Sequence, residues 1–250
     1  MITRRLALPV IACAALSVGA GEPPEHYKND PKNLNPDPNY VPGPYVMPDQ
    51  FAARTEYEAK KAELNKLDEL GNPKRLVTVG GEVSFFATKN ESARVQGYFR
   101  NFTGAVKFGP KSIESMDLLL DINSLDTAVP GRNYRIINLF FDATAPELGT
   151  AHAKFDKFDL KGKSLKDLEK GKVKAFSASG TLMLNGKSVP ISADLKLEKK
   201  GNTFVVETEK PLVLKISDFD YGARVVDLMK ECNHKALGNA VEVVVKLAFR

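Results

Sequence analysis

The sequence predicts an all-β protein built on eight long antiparallel strands. Three observations carry that prediction. From about residue 76 to the C-terminus, apolar residues recur at every second position in run after run, the pattern of strands with one buried face. Turn residues punctuate the runs, above all Asn185-Gly186, where both positions accept a positive φ and favour a two-residue hairpin. Several runs exceed ten residues. Strands of that length with one apolar face point to a closed barrel or a tightly curved sandwich.

The strands follow in order. The first, 79–88, aligns Val83, Phe85 and Ala87. The second, 94–108, aligns Val95, Gly97 and Phe99 and continues with Val106 and Phe108. The third, 114–124, puts Met116, Leu118, Leu120 and Ile122 on one face, with Asp117 and Asp121 opposite. The fourth, 149–160, aligns Ala151, Ala153 and Phe155 and turns His152 to the exposed side. The fifth and sixth, 172–185 and 188–199, flank the Asn-Gly turn. They align Phe176, Ala178, Gly180, Leu182 and Leu184 against Val189, Ile191, Ala193, Leu195 and Leu197. After Lys200-Gly201-Asn202 the seventh, 203–217, carries Phe204 and Val206, then Leu212, Leu214 and Ile216 beyond Pro211. The eighth, 239–249, aligns Val241, Val243, Val245, Leu247 and Phe249.

The small residues on this inward face, Ala87, Gly97, Ala178, Gly180 and Ala193, admit two readings. They leave a lumen wide enough for one small ligand, or they match larger partners and relieve bends.

The N-terminus is of another kind. Residues 1–20 place Arg4 and Arg5 before an apolar run from Leu6 to about Val18, then small residues, the order of a secretory signal. Cleavage before Gly21 is one outcome. Val10-Ile11-Ala12-Cys13 also resembles a bacterial lipobox, ending the signal at residue 12 and making Cys13 a lipidation candidate. Residues 21–48 hold eight prolines among Asn, Asp and Gly, a spacer that cannot bury a core. Residues 49–71 read as a helix, rich in Ala, Glu, Lys and Leu, stopped by Gly71 and Pro73. No later segment is long and apolar enough to cross a bilayer as a helix. The formal charge is +5. Without Arg4 and Arg5 it is 34 basic against 31 acidic residues, or +3. That is too weak, and too evenly spread, for a nucleic-acid binder.

Catalytic signatures are absent from the sequence. There is no CxxC, HExxH, GxSxG, P-loop or GxGxxG. The histidines are His26, His152 and His234. Cys232 and His234 offer two soft ligands, short of the set a zinc site takes. With Cys13 removed or lipidated, Cys232 has no disulfide partner, and its apolar neighbours predict a buried thiol. No metal is expected, and the chain reads as a non-enzyme.

Four segments together are similar to a known family. VSFFATKNESARVQGYFRNFTGAVKF resembles the opening of the YceI-like polyisoprenoid-binding proteins. INSLDTAVPGRNYRIINLFFDA resembles their Ser-x-x-Thr, Arg-Asp, Phe-Phe-Asp segment, ASGTLMLNGKSVPISADL their G-x-L hairpin, and LKISDFDYG their Ser-Asp-Phe-Gly region. The resemblance spans about 76–250. It implies an eight-stranded antiparallel, lipocalin-like barrel with short helical insertions. It also implies a long amphiphilic lipid in the lumen, with polyisoprenoid, isoprenoid quinone or fatty amide as candidates, and export to the bacterial periplasm.

The expected lumen lining is Val83, Phe85, Phe99, Val106, Phe108, Leu118, Leu120, Ile122, Leu182, Ile191, Leu195, Leu214, Val243 and Val245, with Phe140 and Phe141 closing the pocket. Arg132, Asn133 and Arg135 would meet the head group at the mouth, or the arginines would pair with Asp126 or Asp142. The pattern departs from the family's in five places. Arg135-Ile136 stands for the usual His-Leu, and Asp218-Phe219-Asp220-Tyr221-Gly222 for Asp-Phe-Gly. Arg132-Asn133 stands for Arg-Asp, extra residues lie within PELGTAHAKF, and ARVVDLMKECNHKALGN precedes the last strand. Two further function classes stand beside the lipid binder: an envelope adaptor with a filled lumen, and a thiol or metal protein centred on Cys232. A homodimer and a membrane-surface tether through a lipidated Cys13 are left open.

Overall fold

In the computed structural model, residues 51–69, 75–90, 92–109, 112–162 and 174–250 are described. Residues 1–20, read above as a secretory signal, the Pro-rich segment, Cys13 and His26 lie outside them. The strands are β1 (Arg75–Lys89), β2 (Ala93–Phe99), β3 (Phe102–Phe108), β4 (Ile113–Asp121), β5 (Leu125–Asp126), β6 (Thr150–Asp159), β7 (Lys174–Leu184), β8 (Lys187–Lys200), β9 (Thr203–Thr208), β10 (Leu212–Lys215) and β11 (Leu237–Phe249).

All pairings are antiparallel, and β11 closes the sheet onto β1, with Val83 opposite Val245 and Phe85 opposite Val243. The result is a closed eight-stranded barrel: two of its strands are each broken into halves, and the two-residue β5 is a short bridge against β2. β2 and β3 are one strand interrupted at Arg100-Asn101, where the backbone N–H of Arg100 donates to the Ser124 carbonyl and that of Asn101 to Ser124 Oγ. β9 and β10 are another, interrupted before Pro211. The third predicted strand stops at Asp121, whose Oδ1 accepts from the Asn123 N–H and starts a 3-10 turn. The hairpin at Asn185-Gly186 takes φ of 53° and 68°, as its sequence demands.

One end of the barrel is filled with aromatic side chains. Phe108 packs on Phe204 at 5.1 Å, Phe158 faces Phe176 at 6.4 Å, and Phe249 is wholly buried. Two helical insertions lie across the other end: α2 (Pro130–Arg135), which runs into a π-helical turn at Ile136–Phe141, and α3 (Gly222–Glu231). Pro130 sits in the first turn of α2, where its missing N–H is no loss.

Helix α1 (Phe51–Glu69) docks on the outside of the barrel. Tyr57 and Leu64 pack on Leu119, which points outward between the inward Leu118 and Leu120 and is fully buried by the helix. Tyr57 Oη donates to Asn101 Oδ1 at 3.2 Å, and Lys60 Nζ to Thr150 Oγ1 at 2.9 Å. Gly149 lets Ala53 approach, since a Cβ there would come within 2.8 Å of Ala53 Cβ. The extra residues before β6 are thus part of the seat of this helix. His152, expected to be exposed, is half-buried on the same outer face, with Nε2 3.1 Å from Asp117 Oδ1.

The wall has one seam. β8 pairs with β9 only over residues 195–200, and β10 pairs only with β11. Among the described residues no ladder joins Lys187–Ala193 to β10. Pro190, which has no N–H to give to a ladder, lies on this stretch. The Glu209 N–H donates to the Asp194 carbonyl at one end of the seam. At the other, Asn185 Nδ2 donates to the Phe219 carbonyl at 2.7 Å and Lys187 meets Asp220 at 2.6 Å. A small cavity of about 160 Å³ lies along it.

Candidate ligand-binding site

The barrel encloses a cavity of about 270 Å³. One water occupies about 10–15 Å³ on the same measure, so this is room for roughly twenty. Its wall is almost wholly apolar. Val83, Phe85, Phe99, Leu118, Leu120, Ile122, Leu182, Ile191, Leu195, Leu214, Val243 and Val245 all line it, as do Phe140 and Phe141. Each strand contributes because its period of two turns alternate residues inward.

Two expected lining residues do not reach the cavity. Val106 is buried within the core, and Phe108 belongs to the aromatic floor with Phe204. β3 lies beyond the break at Arg100-Asn101, and its inward residues fill the closed end.

The small inward residues divide between the two readings. Ala87 and Ala193 line the cavity. Gly97 instead makes room for the Phe85 ring, which a Cβ would approach to 2.3 Å. Gly180 sits where β6 slips register between Phe155 and Lys157, and a Cβ there would lie 1.9 Å from the Lys154 carbonyl.

The insertions close the mouth as an antiparallel pair. Phe140 stacks on Tyr221 at 4.5 Å, and Phe141 meets both rings edge-on. Arg224 Nη1 donates to the carbonyls of Phe141 at 2.8 Å and Phe140 at 3.3 Å, and Nη2 to Asp142 at 3.2 Å. At the other end of α3, Arg135 Nε stands 3.5 Å from Glu231. The Tyr221 hydroxyl is buried with no hydrogen-bond partner among the described residues, an unfavourable arrangement worth about 1–3 kcal/mol.

Of the three polar residues expected at the mouth, Arg132 and Arg135 line the cavity. Asn133 does not. Its Oδ1 accepts from the Thr127 N–H and Oγ1 at 2.8 and 2.6 Å, which fixes the loop leading into α2. Asp126 is held by Arg100 and Asp142 by Arg224, while Arg135 takes Glu231 from the later insertion.

Lys89, Cys232 and His234 also line this end. Lys89 was legible in principle: it continues the inward phase of Val83, Phe85 and Ala87. Burial pushes the Cys232 thiol pKa up, against a smaller downward pull from Arg135. Burial lowers His234 to about 4, helped by Lys89, Arg132 and Arg135. Among the described residues no group of three or more His, Cys, Asp or Glu side chains converges on a metal-sized site. The arrangement can hold a long apolar body with a polar end at the mouth.

Comparison with known proteins agrees with this architecture. A family model described as a YceI-like domain matches residues 75–249. A polyisoprenoid-binding domain from Saccharophagus degradans, implicated in plant cell wall breakdown, superposes with a TM-score of 0.60 at 19% identity, over 71% of this chain and 98% of that one. BcnA of Burkholderia cenocepacia superposes with a TM-score of 0.54 at 20% identity, over 67% and 95%. At such identities the likeness is one of fold. No match was found among curated proteins.

Proposed function

The chain belongs to the YceI-like family, and from that premise we propose that it is an exported, non-enzymatic carrier or store for one long-chain amphiphilic lipid. The observation that carries this reading is the cavity itself. It is apolar along its length, closed by aromatic rings at the floor, and rimmed by Arg132 and Arg135 at the mouth. Burying a chain there gains about 0.8 kcal/mol per CH₂, so a tube of this kind can supply affinity without any reaction. The neighbouring fold described as polyisoprenoid-binding supports an isoprenoid chain. An isoprenoid quinone or a fatty amide satisfies the same wall.

The signal-like N-terminus supports export to a bacterial periplasm. If Cys13 is lipidated, the Pro-rich spacer serves as a tether from the membrane surface. The two other readings have less in their favour: an adaptor with a filled lumen has no use for this cavity, and a thiol centre at Cys232 needs a thiolate that burial disfavours.

The test is native mass spectrometry of protein made in a bacterial periplasm, followed by extraction and lipid identification. A discrete added mass that resolves into an isoprenoid, quinone or fatty amide is expected. A bare mass, with no uptake of added isoprenoid, sinks the reading.

A further inference from the structure

Among the described residues, three buried side-chain polar atoms have no hydrogen-bond partner: Asn123 Oδ1, Asn138 Oδ1 and Tyr221 Oη. Of these three residues, Tyr221 alone lines the barrel cavity. It is 1% exposed, so solvent does not satisfy its hydroxyl. A buried phenol ordinarily finds a partner.

The ring is held in place. Asp220 before it takes a φ of 59°, and the Tyr221 carbonyl accepts from the Val225 N–H in the first turn of α3. Phe140 stacks on the ring at 4.5 Å, and Phe141 meets it edge-on. A phenyl ring would stack in the same way. The hydroxyl therefore adds nothing to the packing of the mouth, and it carries the cost of a desolvated donor. Burial also raises the phenol above its ordinary pKa, so the group is a neutral O–H.

A neutral O–H on a cavity wall calls for an acceptor from whatever fills the cavity. The rings beside it, Phe140 and Phe141, bring no polar side-chain atom, and a charged head against them would lose hydration without recovering it. The neutral acceptor a lipid carries with no donor on the same atom is a carbonyl oxygen. We infer that Tyr221 Oη donates a hydrogen bond to a carbonyl oxygen of the bound lipid, at the end of its chain that lies by the mouth. The inference rests on the lipid-binding reading and narrows it. An isoprenoid quinone and a fatty amide both carry such an oxygen; a bare polyisoprenoid alcohol does not.

The test uses two probes of equal carbon number, methyl undecyl ketone and tridecane, each displacing N-phenylnaphthylamine from the purified protein. Chain burial is common to both, so a change in the ratio of their affinities reads the carbonyl. In Tyr221→Phe the ratio should fall about tenfold against the ketone, the factor that 1.4 kcal/mol gives. Infrared spectra of the ketone with an isotope-labelled carbonyl give a second reading. Its stretch should lie at lower frequency in the unsubstituted protein than in Tyr221→Phe, and lower than in tridecane solution.

A ratio that Tyr221→Phe leaves unchanged overturns the assignment, and so does an equal loss for both probes, which would mark a packing role for the ring. The lumen reading stands in either case. If neither probe displaces the dye, the lipid reading itself falls. A bound ketone whose stretch matches that in tridecane also overturns the assignment, and this measurement needs only the unsubstituted protein.

Discussion

Replacing Arg224 with Met should unlatch the mouth without dismantling the barrel. The guanidinium ties the N-terminal turn of α3 to the last turn of the π-helix through two carbonyls and one carboxylate. A hydrogen bond to a charged group contributes about 1.5–3 kcal/mol when protected from solvent. Here the Arg224 side chain is 28% exposed and one of the two carbonyl bonds is long at 3.3 Å. The bridge to the half-exposed Asp142 adds little. A net loss of about 2 kcal/mol from the closed mouth follows, which makes opening roughly 30-fold more frequent. Methionine keeps the apolar stem but removes the guanidinium that lies 5.9 Å from the centre of the Tyr221 ring. Hydrogen exchange should therefore accelerate by about that factor at the Ala143 N–H, which donates to the Ile137 carbonyl across the turn. Amides on β7 and its neighbours should keep their protection, and a bound fluorescent lipid should leave faster. The reasoning is refuted if exchange at Ala143 is unchanged, or if protection falls equally along β7.

Three further outcomes are expected. Tyr221→Phe should leave stability unchanged or raise it by about 1 kcal/mol in urea unfolding, because it removes a buried hydroxyl with no partner among the described residues; a loss of 1 kcal/mol or more shows that the hydroxyl is satisfied. His234 is held neutral in the fold down to about pH 4, while the unfolded chain takes the proton near 6.5. Its contribution is thus present above about pH 6.5 and lost as pH falls towards 4, worth about 1 kcal/mol after discounting for its part exposure; the stability difference between the protein and His234→Gln, which cannot protonate, should be constant above about pH 6.5 and shift against the unsubstituted protein by about that amount towards pH 4. Gly180→Ala should cost about 1–3 kcal/mol or more, since its Cβ would meet backbone of β6 rather than a movable side chain, whereas a calorimetric melt of Gly162→Ala should show only the smaller strain of its φ of 73° in open space.

The period-two pattern carried most of the barrel, because a half-buried strand writes its inward face directly into alternate residues. It could not show where a strand breaks. The inward phase slips from odd to even positions between Phe99 and Val106, but that slip does not place the turn at Arg100-Asn101, which depends on Ser124 from a later segment. That break is why Val106 and Phe108 belong to the floor.

Leu119 was a missed signal. An apolar residue out of phase between Leu118 and Leu120 needs a cover, and α1 supplies it. Lys89 holds an inward position but is not apolar, so an apolar alternation does not pick it out. The pairing of Arg135 with Glu231 and of Arg224 with the π-turn joins residues about a hundred positions apart. Side chains brought together by two separate insertions leave no local trace in either one.

A barrel's bore is ordinarily set by strand number and stagger, and its hydrogen bonds act as hoops around it. Here the hoops are missing along one stretch of β8 and its neighbour β10, and a few clasps at the ends of that stretch take their place. Widening the tube at this height breaks side-chain contacts but no backbone ladder. The girth of the lumen is therefore a softer quantity than its length.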